Sequence, residues 1–85
     1  MARFRITEIF LITNIGHVVA GEIIEGKIGA GDVIELINKP AITIEAVEYI
    51  DHLGCVAEIG LRVGYLSEDS KENLNQMIGE TITIL

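Results

Sequence analysis

The 85-residue chain has one cysteine and therefore cannot form a disulfide within itself. Its first residues alternate between polar and apolar and contain no apolar block typical of a signal peptide. We therefore expect a reducing, cytoplasmic location. Tryptophan is absent and only two Phe and two Tyr occur, although 49% of the residues are hydrophobic. The core must therefore consist mainly of Ile, Val and Leu, which favours β-strands within a single domain spanning residues 1–85.

Long apolar runs and an excess of basic residues are also lacking. The longest apolar run, residues 9–12, is much too short to cross a membrane, so we expect no membrane association. The chain has six basic and thirteen acidic residues, which gives a net charge of −7. Proteins that bind nucleic acids usually carry the opposite balance because they contact phosphates. The charge therefore disfavours direct RNA binding and favours solubility or a basic partner.

Alternating apolar and polar residues, interrupted by turn-forming residues, predict an all-β fold. The alternation is most regular where Ala57, Ile59, Leu61, Val63 and Tyr65 share one face. Six or seven strands at this spacing are typical of a small closed antiparallel β-barrel. The predicted strands cover residues 3–12, 17–25, 32–38, 41–50, 55–66 and 80–85.

Residues 67–76 do not follow the alternation. Ser67 or Ser70 can cap a helix, and the acidic residues that lie between them favour a helix N-terminus. Leu74 and an apolar residue one turn later supply an apolar stripe. We therefore predict one short helical turn before the last strand.

Three features mark bends in the predicted strands. Glu8 falls on the apolar face between Ile6 and Phe10, which indicates either a β-bulge or a functional acid that points inward. Gly21 lies inside a strand and so marks a sharp bend or a close approach of two backbones. We interpret the glycine-rich residues 26–31 as a hairpin-type connection and not as a phosphate-binding loop, because they do not open a predicted helix.

Two histidines and the cysteine are the candidates for catalysis or metal binding. His17 and His52 could form a metal pair or an acid–base pair, but no spacing typical of a closed metal site supports this, so we interpret both as solvated loop residues. Cys55 has no convincing base beside it and is interpreted as a half-buried structural residue. Glu8 and Glu58 could form a carboxylate pair that does acid–base chemistry. The simpler interpretation is that both are solvated acids on strands.

Three motifs follow one another in the first half of the chain. They are Glu8-Ile9-Phe10, then Gly-His-Val-Val-Ala-Gly-Glu over residues 16–22, then Gly-Lys-Ile and Gly-Asp over residues 26–32. In this order they resemble the second-domain β-barrel of translational GTPases of the elongation factor Tu family. Looser matches continue over residues 47–48, 59–62 and 71–79. The resemblance implies a stand-alone accessory β-barrel that works in translation.

The same comparison implies limits on that role. The chain has no Gly-x-x-x-x-Gly-Lys-Ser/Thr loop, so we expect no GTP binding and no GTPase activity. The family's domain holds the aminoacyl end of tRNA with polar residues, of which only the acid at Glu8 remains. The other positions are occupied here by Thr7, Ala20, Glu22, Ile50 and Glu58.

The candidate surface for a partner or for RNA lies around the first, second and fifth predicted strands. If its basic residues converge, they could meet the ribosomal RNA backbone, as the resemblance implies. The surface consists of Arg3, Arg5, Glu8, Arg62 and Lys71.

These observations favour a non-catalytic binding module with no cofactor and no bound metal, which engages a protein or ribonucleoprotein partner. The alternative is a self-associating structural protein, because a short Ile- and Val-rich chain can expose strand edges that a homo-oligomer would cover. A small enzyme that uses Glu8, Glu58 and the histidines is a third hypothesis.

Overall fold

The computed structural model describes residues 1–36, 40–50 and 58–85, with the backbone alone at residues 50 and 58. These residues are mostly in antiparallel β-strands, and a helix precedes the last strand, as predicted. The elements are β1 (Ala2–Ile12), β2 (Gly16–Glu25), β3 (Val33–Ile34), β4 (Ile42–Thr43), β5 (Ala46–Ile50), β6 (Glu58–Gly64), α1 (Glu68–Gln76) and β7 (Thr81–Ile84). The helix in this part of the chain does not meet the length and apolarity needed to cross a membrane.

The seven strands form one curled sheet in the order β4-β3-β7-β1-β2-β6-β5. No described pairing joins the edge strands β4 and β5, so the sheet is an open half-barrel and the prediction of a closed barrel is wrong. The reason is that β4 and β5 are successive parts of one predicted strand, residues 41–50, and therefore do not pair with each other. The first part lies beside β3 and the second lies beside β6. Ile44 N donates to Asp32 O at 2.8 Å, whereas Glu45 N donates to Arg62 O at 2.7 Å. The backbone itself therefore leads from one edge of the sheet to the other.

The glycine-rich residues 26–31 do not connect a hairpin, which corrects the prediction. The strands on either side of them, β2 and β3, are separated in the sheet by β1 and β7. A local turn is present, because Gly29 N donates to the Asp32 carboxylate at 2.8 Å. Turn chemistry is local, but the choice of strand neighbours is made by packing across the whole sheet.

A bulge in β1 explains the position of Glu8. Ile6 lies opposite Gly21, whereas Glu8 lies opposite Ala20, which leaves Thr7 as the extra residue. An extra residue shifts all later side chains to the other face of the strand. Glu8 is therefore exposed on the outer face. The bulge interpretation is confirmed, and the inward acid is wrong.

The inner face of the curled sheet packs into a core of Ile, Val and Leu with one Phe, as the composition predicts. Helix α1 contributes Leu74, which is fully buried. The helix begins after Ser67, whose hydroxyl oxygen accepts from Ser70 N at 3.2 Å. Tyr65, predicted on the same face as Leu61, is 69% exposed and lies outside this core. The core consists of Ala2, Phe4, Ile6, Val19, Ile34, Leu36, Ile42, Ile44, Leu61, Val63, Leu74, Ile82 and Ile84.

Gly21 permits a close approach of β2 to β1, which is one of the two predicted alternatives. A Cβ at this position would overlap the carbonyl oxygen of Arg5 and lie 2.9 Å from Phe4 Cε2. Only glycine allows the two backbones to come this close.

Candidate functional site

The three strands predicted to carry the candidate surface are neighbours in the sheet, where they appear as β1, β2 and β6. Phe10 lies opposite Val18, and Val18 lies opposite Arg62, so these three residues form one row across the strands. Ile9 and Leu61, which adjoin this row along their strands, pack against the core on the inner face. The row therefore lies on the outer face. We name the outer side of these strands the β1-β2-β6 face, and it also carries Arg5, Glu8, Ala20, Glu22 and Gly60.

Ion pairs occupy two of the candidate basic residues. The Arg5 guanidinium pairs with the Glu22 carboxylate, and both side chains are about half exposed. Arg62 Nη1 lies 3.3 Å from an oxygen of Glu48, which comes from β5. Exposed pairs of this kind contribute little to stability, but each cancels a positive charge that RNA would need. Neither pairing was predicted, because the sequence does not show which strands lie side by side.

Arg62 is also partly buried on this face. Its Nε is buried and has no hydrogen-bond partner within the part of the chain that the structure describes. Val18 beside it is only 2% exposed although it lies on the outer side of the sheet. Arg62 lies opposite Val18 with its side chain 32% exposed, and long basic side chains commonly pack their stems on such apolar neighbours while the head group stays in water.

The remaining basic candidates lie apart from this row. Arg3 is exposed on β1, opposite Glu25 of β2 and Thr83 of β7. Lys71 is on α1, outside the sheet. From the registers and ordinary strand spacing, the Cα atoms of Arg5 and Arg62 lie roughly 15 Å apart. The structure therefore does not gather these side chains into one compact basic patch.

His17 is not a solvated loop residue, which corrects the prediction. It is the second residue of β2 and only 8% exposed. Its Nδ1 accepts a hydrogen bond from Leu66 N at 3.0 Å, so this nitrogen carries no proton. His17 thereby ties β2 to the segment that leads into α1. His52 and Cys55 lie outside the described residues, and Glu58 is described by its backbone alone.

The described residues do not gather ligands for a metal ion. Within residues 1–36, 40–50 and 58–85, no group of three or more His, Cys, Asp or Glu side chains is close enough to hold one.

A groove lies between α1 and the edge of the sheet where β3 leaves β7, and we name it the α1–β7 groove. It has a volume of about 380 Å³. The sequence did not predict it, because its walls come from three separate segments of the chain. It is lined by Glu35, Leu36, Asn73, Met77, Thr81, Ile82 and Thr83.

Comparison of the chain with protein-family models, with curated proteins and with solved structures found no match in any of the three. The resemblance to elongation factor Tu relatives, which depends on the motifs in residues 8–32, therefore stays a prediction.

Proposed function

We propose that this chain is a non-catalytic binding module of the cytoplasm, similar to the second domain of elongation factor Tu relatives. It engages a protein or ribonucleoprotein partner linked to translation through its β1-β2-β6 face, and it has no GTPase activity of its own. The observation that carries this proposal is the placement of the three strands. β6 is far along the chain from the consecutive strands β1 and β2, yet the three lie side by side and present one continuous outer face.

The glycines that carry the resemblance support the proposal. Gly16 has a φ of 109°, and a Cβ there would lie 2.5 Å from the carbonyl carbon of Gly64. Gly21 allows the close approach of β2 to β1. Both positions thus demand glycine for reasons of backbone geometry, as expected if the motif reflects a shared way of bending these strands.

The chemistry of the face favours contact with protein over direct contact with RNA. The partly exposed Phe10 lies beside the buried Val18 on this face, and the ion pair of Arg62 with Glu48 lies at one side. Aromatic and arginine side chains are enriched in protein interfaces. The net charge of −7 further weakens any attraction to phosphates.

The test is capture of partners from a lysate of the source organism by the tagged chain, at low and at high salt. Recovered proteins are identified by mass spectrometry, and RNA is quantified. We expect the wild-type chain to capture ribosomal or translation-factor proteins, and we expect Phe10→Ala to capture markedly less of them. Leu11→Ala is the matched control, because Leu11 is 59% exposed and alternates with Phe10 along β1. Recovery of the same partners by Phe10→Ala would refute the assigned face, and recovery of none linked to translation would refute the function.

A second candidate function is self-association, and the open edge of the sheet favours it. Tyr49 on the edge strand β5 is 81% exposed. Exposed edge strands with apolar side chains are ready templates for pairing with another chain. Sedimentation equilibrium over a wide concentration range tests this alternative, and a strictly monomeric mass at the highest concentration would exclude it.

A further inference from the structure

We propose that the α1–β7 groove binds a lysine or arginine side chain presented by a protein partner. This inference rests on the proposed function in one respect only, namely that the partner that supplies the side chain is a protein. The groove borders the β1 side of the β1-β2-β6 face, because its residues Thr81 and Thr83 lie opposite Arg5 and Arg3 of β1.

The floor of the groove is apolar. Leu36 is 7% exposed and Ile82 is 3% exposed, and both belong to the core. Met77, in the turn after α1, packs against the same core and is partly exposed. Methylene groups of a long side chain can lie along such a floor, and an unbranched Met side chain adapts readily to different shapes.

The rim of the groove is polar and carries one charge. Glu35 is exposed and is the only charged residue among the described lining residues. Its backbone is fixed, because Glu35 N donates to Thr83 O at 3.1 Å. The described ion pairs join Arg5 to Glu22 and Arg62 to Glu48, and neither includes Glu35.

These features together specify the occupant. A carboxylate at the rim attracts a cation, and the amide oxygen of Asn73 can accept a further hydrogen bond. An aliphatic stem that ends in an ammonium or guanidinium group satisfies both the floor and the rim. The volume of about 380 Å³ lies in the range of small-ligand pockets and accepts such a side chain. The negative net charge of the chain favours the approach of a basic partner.

Binding of three small probes to the ¹⁵N-labelled chain tests the proposal, followed by amide chemical-shift changes. n-Hexylammonium carries the stem and the charge, n-hexanol carries the stem alone, and hexanoate carries the opposite charge. We expect saturable shifts at Glu35, Asn73 and residues 81–83 with n-hexylammonium, about fivefold weaker binding of n-hexanol, and the weakest binding with hexanoate.

Glu35→Gln is the deciding variant, with Glu8→Gln as the matched control that removes an exposed charge elsewhere. Glu35→Gln should weaken n-hexylammonium about fivefold and leave n-hexanol unchanged, whereas Glu8→Gln should change neither. Equal binding of the three probes, shifts outside the groove, or unchanged binding to Glu35→Gln would overturn the proposal. If the probe binds in the groove but no translation proteins are captured, this inference stands and the proposed function is refuted. If translation proteins are captured but the probe does not bind in the groove, the proposed function stands and this inference is refuted.

Discussion

Replacing Gly21 with alanine tests how β2 bends against β1. The added Cβ would overlap the carbonyl oxygen of Arg5 and lie 2.9 Å from Phe4 Cε2. The oxygen belongs to the backbone of the neighbouring strand, and Phe4 is fully buried in the core. Neither atom can withdraw without displacing β1 or repacking the core, so the substitution must strain the sheet.

Overpacking a well-packed site usually costs about 1–3 kcal/mol. Because one of the atoms met here is backbone, we expect the free energy of unfolding to fall by about 3 kcal/mol. A domain of this length has a total stability of roughly 4–13 kcal/mol, so the loss is a large share of it. At about 4–8 °C per kcal/mol, the midpoint of thermal unfolding should fall by roughly 12–24 °C.

Gly29→Ala is the matched control, because a Cβ at Gly29 meets nothing within 4 Å. We expect this variant to be unchanged or to gain about 0.4–1 kcal/mol, since alanine restricts the unfolded chain more than glycine does. Urea unfolding of the two variants and of the wild-type protein, monitored by circular dichroism, measures the differences in the free energy of unfolding. A Gly21→Ala variant within about 0.5 kcal/mol of the unchanged protein would refute the close packing of the two strands.

Three further substitutions test other contacts. His17→Phe should lower the free energy of unfolding by about 1–3 kcal/mol in urea, because the half-buried Leu66 N–H loses its acceptor; an equal loss with His17→Gln, which can still accept, would contradict this reason. Ser67→Ala should cost about 1 kcal/mol in thermal unfolding through loss of the helix cap, and Ser67→Asp should retain most of that stability. Glu48→Gln should cost at most about 1 kcal/mol at low salt and nothing at high salt, because its pair with Arg62 is partly exposed; a large loss that persists in high salt would show that the pair is effectively buried.

Features that depend on local spacing could be predicted. The alternation around Leu61 correctly placed Ile59 and Val63 on the core side. Ser67 and the acids after it correctly predicted the start of α1. The misplaced Glu8 correctly indicated a bulge, because a residue on the wrong face of a strand requires either a shift in register or a special role.

Features that depend on strand neighbours could not be predicted. His17 was interpreted as solvated because it adjoins a turn, but its acceptor nitrogen meets Leu66, which is 49 residues away in the chain. The pairs of Arg5 with Glu22 and of Arg62 with Glu48 depend on registers that no local pattern encodes. The α1–β7 groove likewise exists only where three separate segments meet.

The sequence by itself determined the class of the fold, the aliphatic composition of the core, the helix before β7 and the need for glycine at position 21. Those properties follow from side-chain chemistry and from the period of two along a strand, which act over a few residues. The tertiary structure alone decided that β2 and β3 are not neighbours, that the sheet stays open between β4 and β5, and that Glu35 lies at the rim of an apolar groove. These outcomes depend on how the whole inner face packs, because many strand orders satisfy the same local pattern and only the packed core selects among them.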